Sequence, residues 1–331
     1  MSDKRWLPPQ ILNHEGNERR IGVEFEMAGL EPQAMLDCIR SLYGGQIKRQ
    51  SRFEFSVENT RFGKFGVELD ASYLKTIGYK LEKNLRADDD FSIESIATEI
   101  ITVAAEQVVP WEITTPPIPV SQLSELEKLV QSLRAAGALG TRSSLVYAFG
   151  LHLNPELPAL DVKTILNYLR AFLCLFEWIA DEDDTDLTRR LTSYINHFNK
   201  TYILKVIDPQ YDPDLSTFMR DYIAANPTRN RTLDLLPLFA WLDRDLLRNH
   251  IEDPRVKGRP TLHYRLPNCD IDNPQWNLLQ PWSEWLQVEQ LVNKPDKLQA
   301  MCLRYREHLD TLLPDFDNAW LKSIVGWLHK D

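Results

Sequence analysis

The chain has 331 residues, 43% of them hydrophobic and 26% charged, enough for one large packed domain or two smaller ones and too apolar for a disordered chain. Lys and Arg number 38 against 48 Asp and Glu, a formal net charge of −10, which argues against a generalised nucleic-acid surface but leaves room for a local basic pocket. The partner expected from this balance is small.

The N-terminus opens with Lys4, Arg5 and Trp6 followed by Pro8 and Pro9, without the apolar core of a secretory signal, so the expected location is cytoplasmic. The longest apolar stretch, Ile165 to Ala180, carries Asn167, Arg170 and Glu177, which a bilayer-spanning helix would not hold so close together, and no membrane association is expected. Cys38, Cys174, Cys269 and Cys302 are widely spaced with no C-x-x-C pair. Reduced thiols are therefore expected, not a zinc ribbon or a disulfide framework.

Taken in chain order, the first half alternates short period-2 segments with helical ones, and the half after Asp161 is mostly helical, which is the pattern of an α+β fold. In Ile21 to Met27, the residues Ile21, Val23, Phe25 and Met27 fall on one side and Gly22, Glu24 and Glu26 on the other. The two carboxylates then project the same way, roughly 6.5 Å apart. Phe65 to Asp70 repeats the pattern with Glu68 and Asp70, and Trp111 to Ile113 repeats it with Glu112. Phe149 to Asn154 sets Gly150, His152 and Asn154 opposite three apolar residues, and Leu262 to Leu266 does so with His263 and Arg265. The last segment has to return to the earlier sheet.

Between these strands, apolar residues from Val162 to Ile179 recur at helical spacing behind Asp161, which is placed to cap the helix. Arg229-Asn230-Arg231-Thr232 precedes a stretch read as helical from Leu233 to Leu247, an arrangement able to set positive charge and a helix N-terminus beside a phosphate. Trp276, Trp282, Trp285, Trp320 and Trp327 predict a helical C-terminal layer packed on the body.

On any single strand an acidic outward face is ordinary for a half-solvated antiparallel sheet. Taken together, the five segments put several carboxylates, a histidine and an asparagine on one face, a mixed N/O set suited to Mg²⁺ or Mn²⁺. Gly22 and Gly150, poor strand residues two positions before Glu24 and His152, suggest close approach to the backbone. A sheet face with divalent ions and an arginine suits phosphoryl transfer, with Arg265 meeting charge on the transferred group. No P-loop, kinase glycine loop or dinucleotide fingerprint is present.

Gly22-Val23-Glu24-Phe25-Glu26, Asp70-Ala71-Ser72, Glu112-Ile113-Thr114-Thr115-Pro116-Pro117, Gly150-Leu151-His152-Leu153-Asn154 and Tyr264-Arg265-Leu266-Pro267-Asn268 follow in the order and approximate spacing of the amidoligase family. The chain therefore resembles that branch of the carboxylate–amine ligase superfamily, which includes glutamine synthetase and glutamate–cysteine ligase. The resemblance implies a glutamine-synthetase-like curved antiparallel sheet backed by helices. It also implies an N-terminal extension over 1–19, a catalytic domain over 20–270 with a largely helical insertion over 161–250, and a helical layer over 271–331.

The implied activity is ATP- and Mg²⁺-dependent amide formation from a small-molecule or peptide carboxylate and an amine, with Mn²⁺ as an alternative ion and oligomerisation left open. Glu24, Glu26, Glu112 and His152 resemble the metal ligands, and Arg265 the arginine at the transferred phosphoryl group. Asp70 resembles an acid near the amine, with Asp70 or Glu68 accepting its proton. Arg190, Arg231, Asn154 and His263 are the residues assigned to the nucleotide side. The sequence departs from the superfamily at His263, where Glu-x-Arg commonly places a glutamate. Two alternatives follow: a guanidino-type phosphotransferase, and a nucleotide- or metal-binding scaffold with impaired catalysis.

Overall fold

The computed structural model describes residues 3–69, 110–143, 149–182, 197–251, 253, 256–310 and 316–328. Among these, nine strands form one open sheet: β1 (Arg20–Met27), β2 (Gln46–Arg49), β3 (Glu54–Thr60), β4 (Gly63–Leu69), β5 (Trp111–Thr114), β6 (Ile118–Pro119), β7 (Leu151–Pro155), β8 (Leu233–Asp234) and β9 (His263–Tyr264). The spatial order is β2-β3-β4-β5-β1-β7-β9-β8, with β6 on β1. Every pairing is antiparallel, and the chain is α+β as its patterning predicts.

The described helices are α1 (Pro32–Tyr43), α2 (Leu126–Ala136), α3 (Val162–Glu182), α4 (Lys200–Val206), α5 (Leu215–Ala225), α6 (Leu236–Leu242), α7 (Arg244–Arg248), α8 (Leu279–Val292), α9 (Pro295–Asp310) and α10 (Phe316–Leu328). None is long and apolar enough to cross a membrane.

Alternation in the strands decides which face meets the helices. Ile21, Val23, Phe25 and Met27 of β1, Phe65 and Val67 of β4, Ile113 of β5 and Leu151 and Leu153 of β7 are all fully buried. Each such side chain contributes on the order of 1.5–3 kcal/mol by leaving water, so a register slip that turned this set outward would be prohibitive.

The longest helix, α3, starts where Asp161 accepts from the Thr164 amide at 2.9 Å, which satisfies one of the orphan donors of its first turn. Its Phe172 meets Tyr264 of β9 edge-on at 5.7 Å, and Trp285 of α8 meets the same ring at 5.2 Å. The tryptophan-rich C-terminal helices thus pack against the long helix and the back of the sheet, with Trp282, Trp285 and Trp320 buried. Cys174 and Cys302 sit across the α3–α9 interface as thiols, with Sγ atoms 3.8 Å apart.

The late strand does return, pairing β7 on one side and β8 on the other. The stretch read as one helix from Leu233 to Leu247 is different: Leu233–Asp234 is a strand, and helix follows only as α6 and α7. The break between those helices comes at Asp243, which caps α7 by accepting from the Leu246 amide. Strand β8 escapes a periodicity reading because it is two residues long and buried on both sides. Strands β2 and β3 extend the sheet beyond the alternation read in the sequence. Their hairpin with α1 needs Gly45, whose φ is 96° and whose Cβ would lie 2.5 Å from the Glu58 carbonyl.

Candidate metal centre on the polar sheet face

Register converts the sequence alternation into rows across the sheet. Glu54, Glu68, Glu112 and Glu26 stand level in one row through β3, β4, β5 and β1. The next row runs through Gly66, Thr114, Glu24 and His152. A third pairs Gly22 with Asn154 and His263 with Asp234, and the Leu153–Tyr264 register sets Asn154 level with His263. Acids and imidazoles from seven strands therefore share one face, with β1 between β5 and β7 at its centre.

Around Glu24 the contacts are direct. Its Oε2 is 3.0 Å from His152 Nδ1, and its Oε1 accepts from Asn154 Nδ2 at 2.9 Å and Arg259 Nη1 at 3.1 Å. His152 Nε2 lies 3.4 Å from Glu26 Oε1, and Glu26 Oε2 is held by the Gly150 amide at 2.6 Å. The Gly150 backbone thus approaches the carboxylate itself. At Gly22 the nearest neighbour is the Asn154 side chain, 3.6 Å from where a Cβ would sit.

His263 joins this group through Asn154, with Nδ1 2.7 Å from Asn154 Oδ1. Because the asparagine NH₂ is committed to a carboxylate that can only accept, its oxygen must face His263. The network therefore assigns the imidazole proton to Nδ1 and leaves the Nε2 lone pair available. Arg259 Nη2 is 3.2 Å from the same Nδ1. Ligand atoms of Glu24, His152 and His263 all come within 4.8 Å of one another.

Electrostatics puts Glu24 and His263 in ligating form. Burial opposes a charge on Glu24, but the hydrogen bond from His152 and the charge of the Arg259 guanidinium outweigh it, so the carboxyl lies well below its ordinary range. Burial drives His263 the other way, well below the ordinary imidazole value, with Arg259 and Arg265 reinforcing burial against the pull of Glu24. A charged carboxylate beside a neutral imidazole is the donor chemistry a divalent cation requires. One oxygen and two nitrogens favour Mn²⁺ or a later first-row ion over Mg²⁺, which prefers oxygen ligands. On donor chemistry the residues fit a divalent metal.

A family model described as "Putative amidoligase enzyme" matches residues 17–287. The chain belongs to that family. No curated protein and no solved structure matches it.

Other residues singled out in this amidoligase-family sequence fall in different places. Glu26 lies beside His152, whereas Glu112 and Glu68 continue its row away from the Glu24 cluster, with Glu68 exposed. Arg265 is level with His152 on the same face, its amide bonded to the Thr232 carbonyl at 2.9 Å. Arg231 points elsewhere, donating to the carbonyls of His197 at 2.8 Å and Ala225 at 3.4 Å. It precedes a strand, so the Arg229–Thr232 segment has no helix N-terminus behind it. Asp70 and Arg190 lie outside the described residues.

Sequence reasoning missed Arg259 and Asp234. Arg259 stands in Gly258-Arg259-Pro260 just before the late strand, a turn signal without a chemical one. Asp234 is fully buried beside His263 in register. Burial raises it to about 6, against the Leu236 amide and the charges of Arg265, Arg229 and Arg259, and it was concealed by the helical reading of its segment.

Proposed function

We propose that the protein is an ATP-dependent carboxylate–amine ligase that forms an amide through an acyl phosphate, with a divalent cation held by Glu24, His152 and His263. The observation that carries this reading is the convergence of those three side chains on the polar face of the sheet, in a chain of the amidoligase family. The likeness to glutamine synthetase rests on the family resemblance.

A bound cation would supply Lewis-acid charge to the phosphoryl oxygens of the nucleotide. The chain's own residues do the rest. Asn154 and His152 fix the Glu24 carboxylate from both of its oxygens, so the site is oriented before substrate arrives. Arg265, level with His152, is placed to meet negative charge as the substrate carboxylate oxygen attacks the γ-phosphorus and ADP departs. The amine then attacks the acyl carbon and inorganic phosphate leaves. Exposed Glu68 and its neighbour Glu112 attract the ammonium form and accept the proton lost on amide formation.

His263, where the superfamily commonly has glutamate, belongs to the cluster itself. The substitution therefore retains a metal-capable donor, which supports a working ligase over an impaired scaffold and favours Mn²⁺ as activator.

The test is turnover with ATP, Mn²⁺ or Mg²⁺, and pools of amino acids, peptides and polyamines, with hydroxylamine as trap. A hydroxamate is expected, and heavy oxygen from a labelled carboxylate should appear in the released phosphate. Nucleotide turnover that yields a stable phosphorylated acceptor, with neither hydroxamate nor label transfer, would overturn the proposal in favour of a phosphotransferase.

A further inference from the structure

We infer that Arg259 is an internal counter-ion of Glu24 with which a divalent cation must compete, so that cation binding and binding of a phosphoryl oxyanion are coupled through this one side chain. The inference rests on the metal reading of Glu24, His152 and His263.

Its position is built into the fold. Gly258 packs so tightly on α6 that a Cβ there would lie 2.9 Å from the Ala240 carbonyl oxygen and 3.1 Å from the Trp241 amide. The next residue ties its own amide to the Pro237 carbonyl at 3.0 Å. The backbone is thus anchored to α6 while the Arg259 side chain reaches Glu24, whose side chain is only 12% exposed. A buried carboxylate without a counter-charge is costly, and the guanidinium supplies that charge where a cation would otherwise do so.

The guanidinium is nevertheless poorly satisfied. Nη1 has the Glu24 oxygen as acceptor. Nη2 faces His263 Nδ1, which the Asn154 oxygen marks as a protonated donor, so donor meets donor. Nε is buried with no hydrogen-bond partner among the described residues. The side chain is 39% exposed, within reach of a ligand on the open face. A planar fork with donors left over matches an oxyanion with two or three oxygens. Such an anion would draw Arg259 from Glu24 and release the carboxylate to a cation. Conversely, a cation alone has to compete with the arginine.

Mn²⁺ binding to the full chain, read from the loss of the free-ion paramagnetic resonance signal, tests this on wild type, Arg259→Met and Arg259→Gln, with and without inorganic phosphate. Arg259→Gln keeps an amide donor for Glu24, so it folds where the apolar variant fails. Without phosphate, both variants should bind Mn²⁺ roughly ten-fold more tightly than wild type, equivalent to about 1.4 kcal/mol. Their melting temperatures should also rise more on Mn²⁺ addition. Phosphate should tighten Mn²⁺ binding to wild type and have little effect on the variants.

Equal or weaker Mn²⁺ affinity in the variants, with Glu24→Gln abolishing binding, would overturn the counter-ion role while leaving the metal site standing. Absence of Mn²⁺ binding by wild type and both variants would overturn the two readings together.

Discussion

Replacing Glu289 by glutamine probes the attachment of strand β1 to the helical layer. Glu289 and Arg19 are 2% and 1% exposed and pair through two bonds of 2.7 and 3.0 Å. Tyr168 of α3 donates to the same carboxylate at 2.5 Å and Trp285 of α8 at 3.1 Å. Arg19 also donates to the carbonyls of Gln10 and Glu156, so one network joins the residue before β1, the end of β7 and both helices. Glu289→Gln leaves a buried guanidinium without its counter-charge and turns one acceptor into a donor facing donors. Breaking such a pair costs about 3–5 kcal/mol. An unfolding entropy of about 2.1 cal/mol/K per residue over 331 residues gives about 0.7 kcal/mol/K, so the expected fall in melting temperature by calorimetry is about 4–7 °C. Arg19→Met added to Glu289→Gln removes the stranded charge and should recover at least half of the loss. A single variant that melts within about 1 °C of wild type, or a double variant no better than the single, would refute the reasoning.

Three further outcomes are expected. Gly66→Ala puts a Cβ 2.4 Å from Thr114 Oγ1 and should cost about 1–3 kcal/mol in denaturant unfolding; Thr114→Ala in the same chain should relieve it, and no relief would exclude that clash as the cause. His197, stacked on Phe176 with neither ring nitrogen hydrogen-bonded among the described residues, is pushed by burial and then Arg231 from 6.5 down to about 3. Since the unfolded chain takes up this proton first, the contribution is full above 6.5 and is lost as pH falls through the window down to 3. By about pH 4.5 wild type should have lost about 3 kcal/mol more than His197→Phe, and parallel pH profiles would count against it. Finally, His263→Glu should shift the ratio of Mg²⁺- to Mn²⁺-supported turnover toward Mg²⁺ by about ten-fold, because oxygen replaces nitrogen in the donor set; an unchanged ratio would remove His263 from the metal.

The polar face was legible because alternation is a local property. Glu24, Glu26, His152 and Asn154 are assigned to one side of their strands by counting in twos, and the buried partners Val23, Phe25 and Leu153 enforce it. Which of these residues touch was not legible. That depends on strand order: β5 and β7 flank β1, so Glu26 goes level with Glu112 while Glu24 goes level with His152. Sequence treated all four as one ligand set, whereas the compact group is Glu24, His152 and His263. Arg259 reaches the site from an irregular segment and Asp234 from a two-residue strand, where neither period 2 nor period 3.6 has room to register. The departure at His263 was visible as a missing glutamate, but only the Asn154 bridge gives the proton position that makes its imidazole a candidate donor.

We propose that Glu24 of β1 and the imidazoles of β7 and β9 together hold a catalytic cation. Anomalous diffraction at the manganese edge, from crystals grown with Mn²⁺ and a non-hydrolysable ATP analogue, tests it most directly. The expected result is a peak within coordination distance of Glu24, His152 and His263, with Arg259 turned from Glu24 toward a phosphoryl oxygen. Manganese bound elsewhere beside the nucleotide, with Glu24 still paired to Arg259, would contradict it.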